Sequence, residues 1–333
     1  MWKGILQRLL RIPLTLAAVY TLTLALAWAV PGNPVDRPEG KRPSAEVIAA
    51  MEARYNLQSF WSFYWSYLDA ASGLRWARGG GGGEAGSGGG GGSGRPVFDL
   101  GPSLQYRDRD VNEIIRTSLP ISALVGATAM VMALGLGLGA GVLGMMGRSG
   151  GRGGAIDSIT LLIALIGISV PTFVVGTLLQ LLFAVWLPVT EVGRFELPGS
   201  LWLPALTLSL PFAAYIARLT RMGMIEAMAS DYVRTARAKG VSELGVLVGH
   251  ALPNAFLPVL SYLGPATAMA MTGSFVVERI FSVPGMGQHF VNAVQNKDLF
   301  LLLGIVLVFS TLMILMNVAV DVLYRWVDPR VRG

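Results

Sequence analysis

Six uncharged stretches, Ile12 to Val35, Thr117 to Gly147, Ser158 to Thr190, Leu197 to Ala217, Leu244 to Val277 and Leu299 to Val320, set the pattern of the chain. Each is long enough to hold the ~20 predominantly apolar residues that a bilayer-crossing helix needs. A backbone in hydrocarbon must satisfy its own polar groups, so apolar runs of this length predict helices. The expected fold is therefore an all-α polytopic membrane protein with six transmembrane helices: one within residues 1–35, then a loop over 36–116, then five within 117–333.

The first run follows Lys3, Arg8 and Arg11, as a cleaved leader would. Pro13 to Val30 is longer than a usual leader's apolar region, and Ala29-Val30-Pro31 offers no small-x-small cleavage pattern, so a retained first helix is expected. Pro31-Gly32-Asn33-Pro34 should end it, because Pro34 lacks a donor and restricts the residue before it. In the loop, Val47, Ile48, Met51 and Tyr55 recur at helical spacing, and Phe60, Trp61, Phe63, Tyr64, Trp65 and Tyr67 follow. That aromatic density suits a short helix in the outer headgroup layer, and equally the core of a small extracytoplasmic cap. Residues 79–94 are almost all glycine and predict a disordered tether.

Composition sharpens this picture. The chain is 53% hydrophobic and 14% charged, far from the roughly 25% charged residues of an average soluble domain. Its net charge of +6 comes from Lys and Arg that mostly flank the apolar runs, which argues for membrane lipid and against nucleic acid as a partner. Thirteen of these residues fall in the termini, around Gly150 and between Arg218 and Lys239, whereas the opposite short segments hold only Arg194, Arg279 and Lys297. The positive-inside rule then places both termini in the cytoplasm.

Candidate chemistry is sparse. With no cysteine there is no disulfide, thiolate site or thiol nucleophile. The two histidines, His250 and His289, form neither a metal pair nor a hydrolase dyad. The only fragment of a phosphate-binding loop, Gly40-Lys41, continues into Arg42. No catalytic residue, metal or cofactor is therefore expected, and ATP hydrolysis by this chain is excluded. The span centres are uncharged; Asp321 lies at the end of the last run with Arg325 four residues on, a spacing that lets the two pair. Gly135, Gly137, Gly139 and Gly141 form two overlapping Gly-xxx-Gly pairs suited to close helix packing. Pro171, Pro211 and Pro265 interrupt three runs and are candidates for kinks beside a translocation path.

The cytoplasmic stretch from Ser230 to Pro258 stands out. Ala227 to Lys239 predicts a helix ended by Gly240 in the left-handed region, and Ser242 an N-cap for a second short helix running toward Leu252. Glu243 in its first turn suits the helix dipole. Two helices at a sharp bend would make a docking knob on the cytoplasmic face.

This stretch resembles the cytoplasmic signature E-A-A-x3-G-x9-I-x-L-P of the inner-membrane permeases of binding-protein-dependent ABC importers. Arg234, Thr235 and Ala236 fall on its first three positions, Gly240 on the glycine, His250 on the isoleucine, and Leu252 with Pro253 on its end. The departures at Arg234, Thr235 and His250, with Asp231 and Tyr232 before them, are similar to the form used by the dipeptide, oligopeptide and nickel branch. Pro31 to Asp36, Val277 to Gly287, Asp321 to Tyr324 and Asp328 to Arg332 resemble further motifs of that branch, the first of them that of its B-type first permease. The resemblance implies a permease of a bacterial inner membrane with a coupling segment over 223–255. It also implies a second homologous permease, two ABC ATPase subunits and an extracytoplasmic solute-binding protein as partners. Asp231, Tyr232, Arg234, Thr235, Ala236, Gly240, His250, Leu252 and Pro253 would be its ATPase-coupling residues. A stand-alone secondary carrier or channel is the alternative, and it would call for inverted repeats or mid-membrane charges.

Overall fold

The computed structural model describes residues 2–32, 34, 44–78, 96–106, 109–149, 153–190, 195, 199–272 and 275–327, with backbone alone at 2–11, 147–149, 153–157 and 324–327. The glycine tether, Asp36 and the terminal motif from Asp328 lie outside these residues, as does the side chain of Arg325. Helices account for the regular structure: α1 Trp2–Ala29, α2 Ala45–Arg54, α3 Phe60–Ala71, α4 Leu74–Ala77, α5 Val111–Ser149, α6 Gly153–Ser169, α7 Thr172–Gln180, α8 Trp202–Met228, α9 Asp231–Ala238, α10 Glu243–Val246, α11 Leu252–Met271, α12 Phe275–Phe281, α13 Met286–Gln295 and α14 Leu299–Val327. Turns of π-helix extend α7 over Leu181–Trp186 and join α10 to α11 over Leu247–Ala251.

Five stretches are long and apolar enough to cross a membrane: Ile12–Ala29, Val111–Met146, Trp202–Met228, Glu243–Met271 and Leu299–Leu323. The pair Ser158–Ser169 and Thr172–Trp186 would make a sixth if its 102° bend is taken as one broken span. Pro171 stands at that break as the N-cap of α7, where its missing N–H interrupts the helical ladder. Pro211 and Pro265, by contrast, lie inside α8 and α11, which pass through them unbroken. α1 stops at Ala29 ahead of Pro31, and α2 starts where Ser44 Oγ accepts from the Val47 N–H at 3.5 Å.

The chain divides into two compact units. The first comprises Met1–Pro120 and Gly285–Thr311. Its core gathers Tyr20 and Leu24 of α1, Phe63 and Tyr67 of α3, Ile114 of α5, and Leu301, Leu303 and Ile305 of α14. The Tyr20 and Tyr67 rings stack at 5.7 Å, and Phe63 meets Phe300 edge-on at 5.3 Å. One face of the aromatic segment is thus core, while Trp61 and Trp65 stay exposed on the other. Asp298, fully buried, caps α14 by accepting from Leu301 N–H at 3.1 Å, and also accepts from Ser103 Oγ and Gln105 N–H. Burial pushes the Asp298 carboxyl up from its ordinary range against the pull of those donors. The Tyr106 hydroxyl lies 3.2 Å from His289 Nδ1 and accepts from Asn292 Nδ2 at 3.1 Å.

The second unit comprises Ile121–Pro284 and Leu312–Gly333. Of the two Gly-xxx-Gly pairs, Gly137 and Gly141 carry packing: a Cβ on either would come within 2.7 Å of Ile216 or Thr220 of α8. Gly135 and Gly139 face open space. α12 is pinned at two points by polar contacts, the first of them buried. Ser122 Oγ donates to the buried Glu278 carboxylate at 2.7 Å, and Gln180 Nε2 donates to the Ile280 carbonyl at 3.2 Å. The motif Val277 to Gly287 is therefore partly helix, with Val277, Glu278 and Phe281 buried.

Candidate functional site

The stretch from Ser230 to Asn254 is the clearest constructed site in the second unit. The helix expected over Ala227 to Lys239 is divided between two elements. α8 stops at Met228, Ala229 and Ser230 turn the chain, and α9 starts anew at Asp231. Ser230 takes an extended conformation at this N-cap, and its hydroxyl donates back to the Ala227 carbonyl. Asp231 in the first turn complements the dipole and accepts from Arg234 Nη1 at 3.3 Å.

The end of α9 follows the sequence closely. Gly240 has φ +80°, Gly240 N–H donates to the Arg237 carbonyl at 2.9 Å, and Val241 N–H donates to Ala236 O at 3.2 Å. These two bonds make a Schellman cap, with Val241 packed beside Ala236 as that motif prefers. A Cβ at Gly240 would touch nothing within 4 Å, so its requirement for glycine is one of backbone conformation alone. Ser242 then caps α10 by accepting from Gly245 N–H at 3.3 Å. Across the bend, the Arg237 guanidinium meets the Glu243 carboxylate twice, at 2.9 and 3.2 Å.

Expected and observed geometry part beyond Ser242. The second helix does not end near Leu252; α10, the π-turn and α11 form one run from Glu243 to Met271. The bend is therefore one short helix lying against the entry of a span. Leu247, Ala251 and Ala255 of that run pack with Met145, Met224 and Ala227, rooting it on α5 and α8. His250 and Leu252 are half-buried at this root, and Pro253 is exposed. His250 Nδ1 contacts the Gly245 carbonyl at 3.2 Å.

Among the signature positions, Asp231, Tyr232, Arg234, Thr235 and Gly240 are exposed, whereas Ala236 is only 5% exposed. It sits in a small cluster with Val233 and Val246, so it holds the bend together from inside and is not open to a partner. Sequence reasoning passed over Val233, Val246 and Asn254, whose Nδ2 donates to the Tyr232 hydroxyl at 2.8 Å and ties α9 to α11. The apolar 3.6-residue spacing of Val233 and Ala236 was the available signal. The exposed surface of the bend carries Asp231, Arg234 and Thr235 with Tyr232, Leu244 and Val248, a mixture of polar and apolar side chains. The three prolines fall on separate elements, the α6–α7 break, α8 and α11. Among the described residues no group of three or more His, Cys, Asp or Glu could hold a metal ion.

Residues 135–333 match the family described as binding-protein-dependent transport system inner membrane component. The chain is 37% identical over 336 residues to the oligopeptide transport system permease protein OppB of Escherichia coli (strain K12), covering 100% of both chains. It is 35% identical over 335 residues to OppB of Haemophilus influenzae, again over 100% of both. The dipeptide transport system permease protein DppB of Bacillus subtilis (strain 168) is 34% identical over 333 residues, 100% of this chain and 98% of that one. A crystal structure of an amino acid ABC transporter overlaps loosely, with a TM-score of 0.44 at 16% identity over 66% of this chain and 94% of the other.

Proposed function

We infer a function from one premise: the chain belongs to the family of binding-protein-dependent transport system inner membrane components. It is a multi-pass membrane protein and a permease subunit of an ABC importer, associated with other components of that system, in which ATPase activity lies on separate subunits. The cargo proposed is a peptide, as the names of its oligopeptide and dipeptide relatives suggest. The partners proposed are a second homologous permease, two ABC ATPases and an extracytoplasmic solute-binding protein. Both termini and the α9–α10 bend lie in the cytoplasm, on the strength of the thirteen-to-three charge count.

One observation carries the coupling role: the capped bend is continuous with a span. α9 is locked to α10 by the Schellman cap, the Arg237–Glu243 pair and the Val233–Ala236–Val246 cluster, and α10 runs without a break into α11. A push on the exposed face therefore travels along one helical run into the membrane. ATPase subunits that hold this face differently before and after closing would shift the permease between inward- and outward-facing states, the differential binding that alternating access requires. The α6–α7 break at Pro171 and the prolines at 211 and 265 are proposed to lie beside the path, where irregular backbone is tolerated.

Leu244 is 54% exposed, so Leu244→Asp removes docking surface without opening a core. Uptake of a labelled peptide and co-purification of the ATPase subunits should both fall sharply while membrane abundance is unchanged. Wild-type uptake with full ATPase association would overturn the coupling role. For orientation, single cysteines at Ser242 and Ser200 are probed with an impermeant thiol reagent on intact cells. Labelling at Ser200 alone is expected, and labelling at Ser242 alone reverses the topology.

A further inference from the structure

We propose that Tyr215 of α8 and Tyr262 of α11 line a water-filled stretch of the translocation path deep in the membrane and contact the main-chain amides of the passing peptide. The inference rests on the permease reading above and adds to it the place and the chemistry of contact.

Both tyrosines sit far from the ends of their helices. Tyr215 lies thirteen residues from either end of α8, about 20 Å by the rise of an α-helix. Tyr262 lies about 12 Å along α11 from Asn254, whose bond to Tyr232 marks the level of the coupling bend, and about 14 Å from Met271 at the other end. A hydrocarbon core is about 30 Å thick, so both rings fall well inside it.

The two rings meet with centroids 4.5 Å apart and planes tilted by 37°, which joins the open sides of α8 and α11 in one face. On α8 that side carries exposed Tyr215, Arg218 and Met222 at successive turns. On α11 it carries exposed Pro258, Ser261 and Met269, with Tyr262 and Pro265 half-buried between them. Among the described residues, neither tyrosine hydroxyl has a hydrogen-bond partner in the chain. Pro265 has no N–H to give the Ser261 carbonyl four residues back, so a third polar group at this depth lacks its helical partner. Hydrocarbon satisfies none of these groups, whereas water and a peptide can.

Other faces of the same unit look different. Exposed Leu124, Val131 and Leu143 on α5, and Ile159, Ile163 and Ile166 on α6, are apolar side chains that ask nothing of their surroundings. A dry seam against another protein does not suit the α8–α11 face either. Arg218, one turn nearer the bend than Tyr215, pairs with no acid among the described residues, and such a seam would strand its charge. The occupant is therefore water and the solute that replaces it. A phenol offers a flat apolar face and one hydroxyl that both donates and accepts. Peptides of every sequence repeat one amide donor and one carbonyl acceptor per residue, so a tyrosine pair holds the main chain and leaves the side chains unread.

Because the chain has no cysteine, Ser261→Cys and Tyr262→Cys can be treated singly with a charged, water-soluble thiosulfonate, in the transporter assembled with cysteine-free partner subunits in lipid nanodiscs. Val131→Cys, on the apolar side of α5, is the reference. Labelling at 261 and 262 should be several-fold faster than at 131. Rates like that at 131 would place the face against lipid or a sealed protein seam and overturn the proposal; Ser261→Cys, which changes one atom, decides the matter if Tyr262→Cys fails to assemble. For the contact itself, p-benzoylphenylalanine at position 215 or 262 keeps an aromatic ring and should crosslink on illumination to a labelled oligopeptide during ATP-driven turnover, in competition with unlabelled peptide. Adducts with lipid or the second permease alone, or no adduct, would refute the contact. Uptake of the same peptide separates this inference from the reading beneath it. A transporter that imports the peptide yet stays unlabelled at 261 and 262 fails here alone. One that is labelled there but imports no peptide keeps the wet face and loses the peptide cargo.

Discussion

The bend at Gly240 and the unit around α1, α3 and Asp298 are held by bonds of very different reach. In the bend, Val241 N–H reaches back five residues to Ala236, Gly245 N–H three to Ser242, and Arg237 forward six to Glu243; only the Asn254–Tyr232 bond, 22 residues apart, is longer. In the other unit the Ser103–Asp298 bond joins residues 195 apart, Tyr106–His289 joins residues 183 apart, and Tyr20–Tyr64 joins residues 44 apart. A segment shaped by its neighbours in sequence keeps its form while the helices at its root shift, which suits a part that must transmit motion. A unit closed by distant partners forms only when all of it is assembled, and it loses much when one partner goes.

Asp298→Ala should be the most damaging single change. It leaves the Ser103 hydroxyl and the Leu301 amide without their buried acceptor and the Gln105 amide with Ser103 Oγ alone, at about 3 kcal/mol by the cost of orphaned buried donors. Membrane abundance and thermal melting of the detergent-purified protein should both fall, and Asp298→Asn, which keeps an acceptor oxygen, should be milder. Equal damage from both variants would show that charge, not hydrogen bonding, matters at this cap.

Ala236→Glu comes next. It forces a carboxylate into the Val233–Val246 cluster, costing about 2 kcal/mol or more by burial of an unpaired polar group. The damage should stay local: amide exchange should rise over 231–248 and uptake should be lost, with membrane abundance close to wild type. Global loss of the protein would erase the contrast between the two regions.

Gly240→Val tests backbone conformation by itself. No atom lies within 4 Å of the added Cβ, so the cost is the left-handed conformation alone, about 1 to 2 kcal/mol. Gly240→Asn should recover most of the uptake, because Asn tolerates that conformation; if Asn is as harmful as Val, the outward surface of the bend, not its φ, is what the position protects.

The smallest effect is expected from Arg237→Ala. The Arg237–Glu243 pair is exposed, with side chains 39% and 52% accessible, and such pairs contribute about 0.5 kcal/mol or less. Uptake should change little, and the change should vanish at high salt; a large salt-independent loss would mean that Arg237 itself contacts an ATPase subunit.

Sequence by itself determined whatever depends on a few neighbouring residues. The apolar windows of the spans, the cap at Ser242 and the left-handed Gly240 follow from local periodicity and backbone sterics, and the structure places each as these rules require; of the three prolines expected to kink their helices, only Pro171 breaks one, and Pro211 and Pro265 lie inside unbroken helices. The tertiary structure decided the rest. The stop of α8 at Met228 is signalled only weakly, by Ser230 and Asp231 as an N-cap and a first-turn acid two residues on, and α9 is then held by the Val233–Ala236–Val246 cluster. Ala236 reads as a signature residue open to a partner and is instead core. Glu278 and Asp298, two acids in segments that look like loops, are buried because Ser122 and Ser103 reach them from residues 156 and 195 positions away. A carboxylate's burial depends on donors brought from elsewhere in the chain, and local pattern carries no record of them.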